Sequence, residues 1–231
     1  MGDRLLVHPL CPYAQRALYA LAYKGLETIA VEEVDLVRKP KDLLMANPCG
    51  LVPTLIRSEG RPVTESLVIV DYLDTLPGPA MYPRLQSGAV DQQAKRKLTG
   101  VMQSLSSDFG TYWTYFSVPS VRNARLMTDI AVHIDSLLPN GCYFAEQIIG
   151  QNILTAVDIT VYPFIERIAI ISDSQGLILD RTPNLRLWFQ QLSAQPWIQR
   201  HRADPRRLQH LVDISARGDY VGLELPASRY D

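Results

Sequence analysis

The pattern of apolar residues changes once along this chain, and that change limits the fold more than any other feature. Up to about residue 77 strand and helix signals alternate, whereas beyond about residue 88 they are helical only. Between the two stretches Pro77, Gly78, Pro79, Pro83 and Gly88 interrupt both patterns. In the first stretch Leu5-Leu6-Val7-His8, ended by Pro9, predicts a short buried strand. Ala14, Ala17, Leu18, Leu21 and Ala22 then share one helical face, and Gly25 stops that helix. Residues 28–36 predict a strand, 40–45 a short helix, and 52–56 and 62–64 two strands about the Glu59-Gly60 turn. Val68, Ile69, Tyr72, Leu73 and Leu76 outline one more helix. The order βαβ followed by ββα suits a small sheet backed by helices. We therefore expect an α/β domain over residues 1–77, a linker over 78–88 and an all-helical domain over 89–231.

Within the helical part, Thr155-Ala156-Val157-Asp158 reads as a capping box, the threonine oxygen accepting one N–H and the aspartate reaching back to another. Thr182-Pro183 reads as a cap followed by proline at the first helical position, ahead of Leu185, Trp188, Phe189 and Leu192.

Composition narrows the function. Hydrophobic residues make up 47% of the chain, enough for a packed core and against disorder. The 23 Lys and Arg nearly balance the 24 Asp and Glu, which argues against a nucleic-acid binder. Cys11, Cys49 and Cys142 form neither a disulfide framework nor a CxxC metal pair, so no metal is expected and a reducing compartment is the economical reading. The most apolar stretch, residues 153–171, contains Asp158, Glu166 and Arg167 and is unsuited to crossing a bilayer. Asp3 and Arg4 before a short apolar run offer neither a basic leader nor a cleavage site, and the expected location is cytoplasmic.

The chemistry concentrates at Cys11-Pro12-Tyr13-Ala14, where a strand passes into a helix N-terminus. Proline suits the first helical position, and the cysteine before it faces unpaired N–H groups and the positive end of the helix dipole. That setting favours thiolate, with an expected pKa below about 7. Arg16 either adds positive potential or points into solvent. The competing reading, an inert buried cysteine, is weakened by the strand-Cys-Pro-helix order. Ala14 stands where a CxxC motif has its second thiol, so a mixed disulfide on Cys11 needs an external thiol for release. Val52-Pro53 leads into a strand, and by sequence alone its bond is expected to be trans. Glu65-Ser66 heads a helix, either as an anion site or as an ordinary cap.

In this order these elements resemble the cytosolic glutathione transferase superfamily, most closely the cysteine-type Omega class, with the dehydroascorbate reductases and the Lambda class nearby. The matching residues are Cys11-Pro12-Tyr13-Ala14-Gln15-Arg16, Asn47-Pro48-Cys49-Gly50-Leu51-Val52-Pro53-Thr54-Leu55 and Glu65-Ser66, with Asp158 to Arg167 and Gln195-Pro196-Trp197-Ile198 in the helical part. The resemblance implies a thioredoxin-like N-terminal domain plus an all-α C-terminal domain, the glutathione transferase fold. It implies that Cys11 forms a mixed disulfide with glutathione, the co-substrate. It also implies that Val52, before a cis Pro53, pairs with the cysteinyl part of the tripeptide, and that Glu65 and Ser66 hold the γ-glutamyl end. Tyr13, Leu51 and Pro53 would complete the glutathione site. The expected activity is thiol–disulfide exchange, dehydroascorbate reduction or deglutathionylation in a homodimer. The partner substrate would be a small disulfide, oxidant or electrophile. Conjugation to electrophiles, or a non-catalytic role like that of intracellular chloride channel relatives, are the alternatives.

Omega-like relatives often carry a lysine near the Asn-Pro motif that helps hold the glycyl end. Here Ala46 precedes Asn47, leaving Lys39 and Lys41 as candidates and a glutathione derivative with a masked glycine carboxylate as an open alternative. Tyr112, Trp113 and Tyr115, in a dense aromatic run, either line a second-substrate pocket or fill the core. Cys49 reads as incidental, with a second redox thiol as the alternative, and Cys142 as packing. Arg200-His201-Arg202 with Arg206-Arg207 reads as a solvated face.

Overall fold

The computed structural model describes residues 2–109, 121–172 and 178–217. Its 4-stranded sheet has the order β2-β1-β3-β4, formed by β1 (Arg4–Val7), β2 (Ala30–Glu33), β3 (Thr54–Ile56) and β4 (Val63–Thr64). β1 runs parallel to β2, with Leu5 opposite Val31, and antiparallel to β3, with Leu5 opposite Leu55. β3 and β4 are antiparallel, Thr54 facing Thr64. Leu5, Leu6 and Val7 are all fully buried, and because successive side chains point to opposite faces, β1 is covered on both sides.

Three helices accompany the sheet: α1 (Pro12–Lys24), α2 (Lys41–Ala46) and α3 (Ser66–Asp74). α1 ends as its sequence predicts. Gly25 takes the left-handed conformation at φ 68°, its N–H bonds to the Ala22 carbonyl, and the Leu26 N–H reaches the Leu21 carbonyl. The strand expected over residues 28–36 is shorter. The Asp35 side chain accepts the N–H groups of Val37 (2.7 Å) and Arg38 (3.1 Å), turning the chain out of the sheet soon after Glu33.

The Pro-rich stretch is a pinned connection. Asp74, at the end of α3, accepts the Met81 N–H at 2.7 Å and pairs with Arg84 at 2.8 Å. Gly78, at φ 114°, passes so close to the end of α1 that a Cβ there would sit 2.3 Å from the Lys24 carbonyl oxygen. Asp91 then caps the next helix, accepting the N–H groups of Gln93 (2.9 Å) and Ala94 (3.0 Å).

Beyond it the described elements are helical: α4 (Gln92–Phe109), α5 (Val121–Ser136), α6 (Phe144–Ile149), α7 (Ala156–Ser172), α8 (Pro183–Ser193), α9 (Pro196–Gln199) and α10 (Pro205–Arg217), with short 3₁₀ turns at Pro139–Gly141 and Leu179–Arg181. α1 packs against α3 of its own half and against α7 of the helical half, so it is the seam between them. One apolar cluster crosses that seam, from Leu5 and Leu18 to Phe164 and Trp188. No helix among the described residues is long and apolar enough to cross a membrane.

Three local expectations are corrected. At the start of α7 Asp158 does reach back to the Thr155 N–H (2.8 Å), but the Thr155 hydroxyl donates to the same carboxylate (3.1 Å) rather than accepting an N–H. At the start of α8 the Thr182 hydroxyl donates to the Ile178 carbonyl. The Leu185 N–H is taken instead by Asp135, a carboxylate 50 residues away. The basic run near residue 200 is only partly a solvated face. Arg200 and Arg206 are exposed, whereas Arg207 is buried beside Glu33 and Arg202 bonds to the buried Glu166 at 3.2 Å. Tyr112, Trp113 and Tyr115, and the tail after Arg217, lie outside the described residues.

Candidate active site

Cys11 is the N-cap of α1, with extended backbone (φ −82°, ψ 116°) and Pro12 at the first helical position. Its carbonyl accepts the Gln15 N–H, the first bond of the helix, and its own side chain caps nothing. The sulfur therefore stays free to face a cavity of about 460 Å³, large enough for a peptide-sized ligand. The thiol points toward the Val52 carbonyl, with Sγ 3.8 Å from that oxygen.

The same cavity is lined by every residue expected to bind glutathione. Tyr13 stands beside the cysteine, and Leu51, Val52 and Pro53 form one wall. The Val52-Pro53 bond is cis, as the resemblance implies and against the sequence expectation of trans. Glu65 and Ser66 form the wall at the head of α3. Glu65 is exposed and sits at φ 71°, an uncommon conformation for a residue with a side chain, of a kind that costs about 1–3 kcal/mol. Its carboxylate makes no capping bond to α3.

Three further residues complete the site, and sequence reasoning missed them or left them open. Asn47 fixes the 47–54 loop, its amide donating to the Leu51 carbonyl (3.1 Å) and to Thr54 Oγ1 (3.2 Å). Leu36 lines the cavity from the segment that leaves β2. Lys39, not Lys41, is the lysine in the lining. It lies across Gly50, where a Cβ would come within 2.7 Å of the lysine Cδ, so glycine there makes room for the lysine stem. Cys49 is exposed and outside the lining, and all three cysteines are free. Among the described residues no group of three or more His, Cys, Asp or Glu is placed to hold a metal ion.

The expected depression of the Cys11 pKa is not what the geometry gives. Burial pushes the thiol up, and it outweighs the Ala14 N–H, the charge of Arg167, the Tyr13 N–H and the charge of Arg16, all of which favour thiolate. The guanidinium that acts more on the sulfur is thus Arg167 of α7, held by the Leu10 carbonyl (3.3 Å) and the Gln15 side chain. The one sign of it in the sequence is a charged pair, Glu166-Arg167, inside an apolar helix.

A thioredoxin-like sheet half docked on a helical half, with a cysteine at a helix start facing a peptide-sized cavity, defines a class that comparison with known proteins makes specific. The family described as "Glutathione S-transferase, N-terminal domain" matches residues 10–76. Glutathione S-transferase L2, chloroplastic, of Arabidopsis thaliana is 30% identical over 215 residues, covering 90% of this chain and 68% of its own. Glutathione S-transferase omega-1 of Rattus norvegicus is 26% identical over 219 residues, covering 94% and 84%. Among solved structures, rice GST1 in complex with glutathione superposes with a TM-score of 0.78 at 25% identity, covering 96% of this chain and 98% of its own. Glutathione transferase Omega 3C from Trametes versicolor, at 19% identity, shares the fold with a TM-score of 0.77, covering 96% and 93%. The chain belongs to the glutathione S-transferase family and is Omega-like within it.

Proposed function

We propose that the protein is a glutathione-dependent thioltransferase or reductase with Cys11 as its nucleophile. The observation that carries this reading is a lone cysteine at a helix N-cap, in one cavity with the Val52 backbone and the Glu65-Ser66 pair. In this arrangement glutathione lies with its sulfur at Cys11 and its cysteinyl backbone against Val52. Glu65 takes the γ-glutamyl ammonium and Ser66 the γ-glutamyl carboxylate. Lys39 supplies the cation for the glycyl carboxylate, and Tyr13, Leu51 and Pro53 bound the site.

The reaction has two displacements. The Cys11 thiolate attacks the glutathione sulfur of a mixed disulfide, forming a Cys11–glutathione disulfide and expelling the substrate thiolate, which takes up a proton. The thiolate of a second glutathione then attacks that disulfide, releasing glutathione disulfide and regenerating the Cys11 thiolate. In this exchange the substrate sulfur is reduced at the expense of the second glutathione, whose sulfur is oxidised to the disulfide level, while the first glutathione's sulfur begins and ends in a disulfide. Dehydroascorbate, which carries no sulfur and takes up two electrons, would need two glutathiones. The Cys11 thiolate adds to a carbonyl carbon, the first glutathione thiolate attacks the Cys11 sulfur and expels ascorbate, and the second releases glutathione disulfide from the same Cys11–glutathione disulfide. The chemistry needs only sulfur, and it suits a cytosolic homodimer kept reduced by its surroundings.

Mass spectrometry of the protein after treatment with glutathione disulfide tests the assignment. One glutathione on Cys11, removed by added glutathione, is the expected result. Modification of Cys49 or Cys142 alone would overturn it. Glutathione affinity without any turnover would favour a binding protein, and turnover only with electrophiles would favour conjugation.

A further inference from the structure

Arg16 is 2% exposed, yet among the described residues no carboxylate pairs with it. Its guanidinium lies over the Phe164 ring at 4.6 Å and the Tyr13 ring at 5.2 Å. Its three nitrogens donate only to neutral oxygens: Nε to the Thr160 carbonyl (2.9 Å), Nη2 to Ser106 Oγ (2.8 Å) and Nη1 to Ser66 Oγ (3.3 Å). Burial pushes its pKa down to about 10, which still leaves it charged at neutral pH. A buried charge without a counter-charge is costly, and its partner must be sought close by.

The two serines differ in one respect. Ser106 receives the arginine and passes its own hydrogen to the Met102 carbonyl at 2.6 Å, which completes its bonding. Ser66 receives the arginine too, but among the described residues its hydroxyl hydrogen has no acceptor, and the residue lines the cavity beside Cys11. A serine whose oxygen already accepts from a cation offers its hydrogen as the remaining bond, and an anionic oxygen is the acceptor that fits. We propose that Arg16 is a positioning residue for the glutathione carboxylate, holding the Ser66 hydroxyl as a donor into the cavity and supplying the charge that the bound γ-glutamyl carboxylate neutralises. The proposal rests on the reading that glutathione occupies this cavity. It assigns the pairing to a residue that never touches the ligand, and it ties the ligand through Ser106 and Thr160 to α4 and α7 of the helical half.

The test is calorimetric binding of glutathione and of γ-aminobutyryl-cysteinyl-glycine, which lacks only the γ-glutamyl carboxylate. Wild type should prefer glutathione. Arg16→Met should weaken glutathione about ten-fold to a hundred-fold while changing the analogue less than about three-fold. Arg16→Lys should restore part of the preference. Equal losses for both ligands would show a merely structural role, and an unchanged preference would overturn the proposal outright. If Arg16→Met does not fold, Ser66→Ala with and without Arg16→Lys decides the matter. Once Ser66 is gone, the lysine change should no longer alter the ratio of the two affinities, and a further loss of preference would overturn the proposal. Wild type that prefers glutathione while the Arg16 variants keep that preference sinks this inference alone. Wild type that binds neither ligand sinks the glutathione reading and the inference with it.

Discussion

The helix start at α7 and the helix starts at α1 and α3 solve the same problem in opposite ways. At α7 the fully buried Asp158 gathers four donors: the Thr155 N–H and hydroxyl, the Phe144 N–H at 3.2 Å and the Trp188 indole N–H at 2.9 Å. Burial pushes its pKa up to about 6 against those four bonds, so at neutral pH it is a carboxylate with no capacity left for anything else. At α1 and α3 the N-cap residues, Cys11 and Glu65, make no side-chain capping bond, and both face the cavity. Helix N-termini are orphaned donors; the start of α7 is fastened by buried bonds, whereas the starts of α1 and α3 open onto the cavity.

That contrast is broken most directly by removing one residue from each side. Cys11→Ala should lower thioltransferase turnover at least about 1,000-fold, since the reacting atom is gone, while leaving the melting temperature within a few degrees. Asp158→Ala should do the reverse. Stranding several buried donors should cost about 3–5 kcal/mol, or roughly 10 °C in melting temperature, with the glutathione affinity of the folded fraction unchanged. Thermal melts beside turnover assays check both. If Cys11→Ala destabilised as much as Asp158→Ala, the open and closed starts would not differ in purpose.

Glu65 and Ser66 sharpen the same comparison. Replacing either by Ala should raise KM for glutathione with kcat within about three-fold. The lost charge-assisted bond corresponds to about 1.5–3 kcal/mol, or roughly ten-fold to over a hundred-fold in affinity. Steady-state kinetics separates the two constants. An unchanged KM in both variants would place the γ-glutamyl end elsewhere.

The parts of this design visible in the sequence are those set by neighbours in the chain. The period of Ala14, Ala17, Leu18 and Leu21, the stop at Gly25 and the strand-Cys-Pro-helix junction are local, and each appears in the structure as read. What was hidden depends on partners far along the chain. Arg16 could point either way because its Thr160 acceptor lies 144 residues on. Asp135 displaced the expected Thr182 cap across 50 residues. Lys39 and Lys41 are indistinguishable by spacing, and only the folded chain shows Lys39 in the cavity lining, lying across Gly50. The helix N-terminus that favours the Cys11 thiolate is legible in the sequence, whereas the burial that opposes it is not.

That last point gives the smallest and most discriminating effect. In the folded protein burial dominates at Cys11, so its pKa lies above the ordinary cysteine value despite the Ala14 and Tyr13 N–H groups and two arginines. For an acid raised in this way the sign is fixed. The thiol stays protonated where a free cysteine has begun to ionise, and the folded state loses stability as pH rises from the unfolded value to the folded one. Iodoacetamide labelling of Cys11, followed by mass spectrometry in a Cys49→Ser, Cys142→Ser background, should therefore be slower at neutral pH than labelling of a free cysteine peptide. The rate should still be climbing at pH values where the peptide has levelled off. Glutathione exchange should climb over the same range, because both report the thiolate fraction. A Cys11 midpoint below that of the peptide would mean that the open N-terminus of α1 outweighs burial. The α1 start would then activate its cysteine as well as expose it, and the difference from the closed start at α7 would be one of chemistry rather than of access alone.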